Sequence, residues 1–161
     1  MRWHAFADAS PELAALVQEW IVDRHVMLLG TLRPDGSPRI SVVECDLGAG
    51  ELFTGMIWRS TKDLDLLRDP RLTVHSVPPG KDNPAGDLKL FGRGVRAEGE
   101  AKRAYEDAIG ARLDWRPPEP YNAWAIDIAA AGVVRFANGG REVTSWKEGR
   151  GTTKRFIKDA Y

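Results

Sequence analysis

Between His25 and Ile57 the chain reads HVMLLGTLRPDGSPRISVVECDLGAGELFTGMI, three apolar runs separated by two tight turns. Arg33-Pro34-Asp35-Gly36 has proline, aspartate and glycine where a β-turn wants them, and Leu47 to Glu51 forms a second turn. Strands are therefore expected near Val26–Arg33, Arg39–Asp46 and Glu51–Ile57, as an antiparallel meander. A strand over RLTVHSV and another over LKLFGRGVRAEGE follow, flanking the turn-rich PPGKDNPAGD. A last pair spans NAWAIDIAAAGVVRF and REVTSWKEG, joined by a turn at Asn138-Gly139-Gly140.

Helical patterns interrupt this series. Ser10 can cap a first helix at about 10–22, with Pro11 at its first position and Leu13, Leu16, Val17 and Trp20 on one face. A short helix carrying Leu64, Leu66 and Leu67 ends before Pro70, and AKRAYEDAIGARL forms a third, with RPPEP breaking the chain after it. The order is helix, three strands, helix, two strands, helix, two strands. It predicts a mainly β fold with peripheral helices, a closed or split antiparallel β-barrel in one domain spanning residues 1–161.

A chain of 161 residues buries roughly 70% of its unfolded surface and needs no metal or disulfide to fold. Twenty-three Lys and Arg balance 23 Asp and Glu, so no global field recruits nucleic acid or membrane. Cys45 is the single cysteine, which excludes an intrachain disulfide and fits a reducing compartment. The N-terminal segment lacks an apolar signal core, and the expectation is a cytoplasmic protein.

The chemistry gathers where the third strand breaks off. Arg59, Ser60, Thr61 and Lys62 present two cations and two hydroxyls at the start of a helix. A helix N-terminus offers unpaired N–H groups and a positive dipole end, so this is a candidate phosphate site. Charge-assisted hydrogen bonds contribute about 1.5–3 kcal/mol each, and three or four would hold a phosphate. An ordinary capped helix with solvated cations has the same spacing, so both readings stand at this point. His4, His25 and His75 show no ligand spacing, and no metal is expected. Asp63 and Asp65 lie two apart on a helix and do not face each other, and no catalytic acid or base is named. Trp58 and Trp146 flank polar or basic stretches and are candidates for stacking on a planar ring or for core packing.

The segments LLGTLRPDGSPRISVV, LFTGMIWRSTKDLDLLRDPRLTVHS and LKLFGRGVRAE together resemble the pyridoxamine 5′-phosphate oxidase-like family, the flavin-binding split barrels. The resemblance implies a homodimer with cofactor sites at its interface and a small-molecule substrate. It implies that Arg59, Ser60, Thr61 and Lys62 meet a cofactor phosphate, that Thr54 and Gly55 line the flavin ring, and that Arg39 lies near the cofactor. Trp146 joins them as a stacking candidate. FMN is the first cofactor expected, and the deazaflavin coenzyme F-420 the second. True pyridoxamine phosphate oxidases carry a second-strand lysine where this chain has Glu44, whose carboxylate would repel a phosphate, and this argues against oxidation of vitamin B6. The expectation is a flavin- or deazaflavin-dependent oxidoreductase. The alternative is a non-catalytic flavin- or haem-binding protein on the same barrel. The basic end, at about 150–161, carries Arg150, Lys154, Arg155 and Lys158 and is a candidate contact for the glutamate tail of the deazaflavin coenzyme.

Overall fold

A computed structural model describes residues 1–77, 86–137 and 139–159. Two helices come first, α1 (Trp3–Ala9) and α2 (Pro11–Arg24). The predicted meander follows as β1 (Val26–Leu32), β2 (Pro38–Gly48) and β3 (Glu51–Ile57). Then come α3 (Thr61–Arg68), β4 (Arg71–Ser76), β5 (Asp87–Ala97) and α4 (Glu100–Leu113). The chain ends in β6 (Tyr121–Ala137), β7 (Gly140–Lys147) and β8 (Gly151–Lys158).

All strand pairs are antiparallel, in the order β3-β2-β1-β4-β5-β6-β7-β8. β6 also pairs with β3, from Phe53 opposite Ala125 to Ile57 opposite Tyr121, and so closes six strands into a barrel. The length of β6 makes this closure work. Its first part completes the barrel while its second part, from Ala130 onward, pairs with β7 outside it. β5 follows β6 around the bend through a register shift at Phe91 and Gly92. A Cβ on Gly92 would lie 1.9 Å from the Asp127 carbonyl oxygen, so only glycine permits that approach.

Alternation along the strands fills the barrel. Met27, Leu29, Leu52, Leu88, Leu90, Ile126 and Ile128 are fully buried in one cluster. Phe6, Leu13 and Val17 of α1 and α2 close one end of it. Burying a side chain of this size contributes about 1.5–3 kcal/mol, so a handful suffices to offset much chain entropy. A second, smaller cluster lies outside the barrel under α4, where Phe53, Tyr105, Ile109 and Tyr121 pack together.

Two differences from the sequence expectation concern the ends. Trp3 and Phe6 belong to an extra helix ahead of α2, and Ser10 between them caps neither backbone with its side chain. Its hydroxyl bonds that of Thr152, 3.0 Å away, instead. The basic end is a third C-terminal strand: β8 pairs along all of β7. Most of its side chains are exposed, so it shows no apolar alternation, and its Lys154, Arg155 and Lys158 suit a sheet edge that must not recruit another strand. The expected loop over Pro78–Ala85 and the Asn138 position of the expected turn lie outside the described residues.

Candidate functional site

β3 ends at Ile57, and the Ser60 N–H donates to the Ile57 carbonyl at 3.0 Å to close a turn. Arg59 sits within that turn at φ 57°, a left-handed conformation costly for arginine. Asp63 holds it there. Its carboxylate accepts the Arg59 backbone N–H at 3.0 Å, the Asn122 amide at 2.8 and 3.0 Å, and the Trp124 indole N–H at 3.0 Å. Asp63 is fully buried, and Asn122 and Trp124 come from the part of β6 that closes the barrel on β3. The start of α3 is therefore bolted to the barrel seam.

What this turn presents is a polar pole. The first N–H groups of an α-helix have no acceptors within the helix. Ser60 occupies the N-cap position without making a side-chain cap, and its hydroxyl is buried with no partner. Thr61 is exposed beside it, and the Arg59 guanidinium lies 5.5 Å from the centre of the Trp58 ring. Lys62 has no carboxylate partner among the described residues and forms part of a cavity wall. Four expected site residues are thus brought together.

The cavity measures about 810 Å³ and lies on the outer face of β2 and β3, between α3, α4 and the 114–120 segment. Its walls are mostly apolar, with Val42, Ile109, Leu113, Trp115 and Tyr121 prominent. Glu44 faces it from β2 and is bridged by the Arg112 Nη2 at 2.7 Å. Arg112 also donates to Asp46 at 2.6 and 3.1 Å, so one guanidinium serves two carboxylates and its own proton is held more firmly. Glu44 thus lines the same cavity as Lys62, with its charge partly neutralised by Arg112.

The other expected residues fare differently. Arg39 gives its Nε to Asp65 at 2.6 Å, and Arg68 and Thr31 add bonds of 3.0 and 2.9 Å to the same carboxylate. Burial pushes the Asp65 carboxyl up, but these donors together outweigh it and hold the group below its ordinary value of 3.8. Arg39 therefore braces the middle of α3, and it does not line the cavity. Thr54 points into the barrel, fully buried, with its hydroxyl unpartnered among the described residues, and it does not line the cavity. Gly55 does reach the cavity, but the place its Cβ would occupy lies 1.9 Å from the Tyr105 hydroxyl. Trp146 is buried against Phe6, with ring centres 5.0 Å apart, and belongs to the core away from the cavity. The cations of β8 also lie elsewhere: Lys154 pairs with Glu12 at 2.6 Å, and Lys154 and Arg155 line a separate cavity of about 280 Å³. Within one protomer they do not reach the Lys62 cavity.

Reading the sequence missed Tyr105, Tyr121 and Asp63. In the sequence Tyr105 is one residue within the third helical pattern, and Asp63 is a helical carboxylate that does not face Asp65. The signal available for Asp63 was its place three residues after a cap position, where an acidic side chain reaches back to the preceding backbone. Nothing local marks Tyr105, because its role depends on the approach of α4 to Gly55.

Comparison with known proteins agrees with this geometry. No curated protein matches the chain. Among solved structures, a heme binding protein from Mycobacterium smegmatis aligns with TM-score 0.59 at 17% identity, over 93% of this chain and 89% of that one. PhzG from Burkholderia lata, solved with tetrahydrophenazine-1-carboxylic acid, gives TM-score 0.64 at 10% identity over 90% and 91%. A pyridoxamine 5′-phosphate oxidase homologue from Listeria innocua gives 0.60 at 20% over 76% and 98%. At these identities the likeness shows a shared fold. The family pattern of pyridoxamine 5′-phosphate oxidase matches residues 13–141, which includes the barrel seam, α3 and the cavity walls, and the chain belongs to that family.

Proposed function

We propose that this chain is a flavin-dependent oxidoreductase that binds FMN, or the deazaflavin coenzyme F-420, and acts as a homodimer on a small-molecule substrate. The observation that carries the reading is the polar pole beside the cavity: Lys62, which lines the cavity and has no carboxylate partner among the described residues, next to a Ser60 hydroxyl at the helix N-cap that has no partner among them either. These donors fit a phosphate, and the adjoining apolar walls fit a planar ring. Arg59, Ser60, Thr61 and Lys62 would hold the phosphate, with Asp63 fixing the turn that aims them. The barrel face over Val42, beside Lys62, would support the ring. When bound, such a ring supplies hydride transfer. An F-420 reductase of TM-score 0.55 and 20% identity is among the structures with this fold, which keeps the deazaflavin beside FMN.

The outer face of β2 supports the dimer. Ile40 and Val42 are 66% and 63% exposed and Ile57 on the neighbouring β3 is 79% exposed, and Val42 and Ile57 also line the cavity. Exposed apolar surface of this kind marks an interface. A haem carrier on the same barrel is the weaker reading. No histidine or cysteine lines the cavity, and of the usual sulfur ligands only the buried Met56 is there. The test is titration of the purified protein with FMN and with coenzyme F-420, followed by visible absorbance. Saturable binding of either supports the reading, and binding of neither rejects it.

A further inference from the structure

The cavity has two unlike ends. Lys62 and the α3 N-terminus form one. The other is a chamber walled by Ile109, Leu113, Trp115, Pro118 and Tyr121, with Tyr105 at its base. Tyr105 is 96% buried by the complement of its 4% exposure, and its ring packs on Phe53 and Tyr121. Its hydroxyl stands over Gly55, makes no hydrogen bond among the described residues, and is not one of the sealed, unpartnered atoms of the interior. The hydroxyl opens on the cavity, so water partners it when the chamber is empty and an acceptor on a bound molecule can take that place. Tyr121 is different, because its hydroxyl already donates to Glu106.

Charge selects further. The carboxylates at this end are Glu44, Glu106 and Glu119, and the cations beside them are engaged. Arg112 serves Glu44 and Asp46, Lys102 pairs with Glu119 and lies over the Tyr121 ring, and Arg116 pairs with Glu106 and Asp107. A second anion placed here would meet carboxylates and no free cation.

We propose that this chamber binds an uncharged, planar, apolar molecule bearing one hydrogen-bond acceptor, and that the Tyr105 hydroxyl donates to that acceptor. The substrate class of the proposed oxidoreductase is then a neutral aromatic carbonyl or similar ring; this rests on the reading above, which reserves the Lys62 end for the cofactor. Burial, and then the charges of Asp46 and Glu44, push the Tyr105 hydroxyl up to about 12, so it stays a donor throughout the neutral range.

The test uses three naphthalenes of matched shape on the full chain, by calorimetry, with and without FMN. 2-Acetylnaphthalene carries the acceptor, 2-isopropenylnaphthalene lacks it, and 2-naphthoate adds a negative charge. In the FMN-loaded parent, where the Lys62 end is occupied, the ketone should bind saturably and the carboxylate at least about tenfold more weakly. The ketone-to-alkene affinity ratio should fall about threefold to tenfold in Tyr105→Phe, the worth of one neutral hydrogen bond. An unchanged ratio, or naphthoate bound as tightly as the ketone, overturns the proposal. Competition between FMN and the ketone also overturns it, because the chamber would then belong to the cofactor. If Tyr105→Phe does not fold, the naphthoate comparison and the FMN competition on the parent still decide. Should FMN fail to bind while the ketone keeps its Tyr105 dependence, the cofactor reading falls and the chamber stands. Should FMN bind and no naphthalene saturate, the chamber alone falls.

Discussion

Asp63→Asn is a nearly isosteric change with a calculable cost. In the parent, one buried carboxylate satisfies three donor groups: the Arg59 backbone N–H, the Asn122 amide and the Trp124 indole. An asparagine keeps one acceptor oxygen and turns an NH₂ toward the remaining donors. Each stranded buried donor costs about 1–3 kcal/mol, so two cost about 2–6 kcal/mol. A chain of this size loses about 2–4 °C of Tm per kcal/mol, which sets the expected fall at no less than about 4 °C. The loss should extend to function, since the same carboxylate holds Arg59 in its left-handed turn and sets where Ser60 and Lys62 point. Thermal unfolding followed by tryptophan fluorescence measures the first effect, and FMN titration at a temperature where the variant is folded measures the second. A Tm within about 1 °C of the parent would refute the clamp, since even one stranded donor exceeds that.

Gly55→Ala should destabilise by about 1–3 kcal/mol in urea, because its Cβ would meet the Tyr105 hydroxyl oxygen at 1.9 Å and Cζ at 2.7 Å; adding Tyr105→Phe should recover part of the loss, and full additivity would sink the contact. Asp65 has a folded value below its ordinary 3.8, so it contributes stability that is present above that pH and is lost as pH falls through the folded value. Urea midpoints of the parent and Asp65→Asn should therefore converge below pH 3.8, and a gap that stays constant would contradict the network around Arg39, Arg68 and Thr31. Ile40→Glu places a charge on the exposed β2 face and should turn a dimer into a monomer by light scattering; a monomeric parent would defeat the interface outright.

The barrel was legible because its strands are half-buried. β1 to β3 alternate or run apolar between turns with strong local chemistry, and β3 was placed to the residue. β8 was not legible, since a strand whose side chains are nearly all exposed leaves no pattern of burial. The polar start of α3 was legible in the same local way, as cations and hydroxyls at a helix start. Arg39 and Thr54 were placed by resemblance and Trp146 by its polar and basic surroundings, and each is claimed by a tertiary partner or direction that no short stretch encodes: Asp65, the barrel interior and Phe6. Tyr105 lay out of reach for the converse reason. It is 50 positions from Gly55 in the chain, and only the docking of α4 over the seam brings them together.

The central claim is that the N-terminus of α3 holds a phosphate, and riboflavin against FMN isolates it, because the two share the ring and differ by that group. One charge-assisted hydrogen bond changes affinity about 10- to 150-fold, so FMN should bind at least tenfold more tightly than riboflavin. Lys62→Ala should then weaken FMN by a factor of that order and leave riboflavin unchanged. Equal affinities for FMN and riboflavin in the parent, or equal losses for both in Lys62→Ala, would contradict the account.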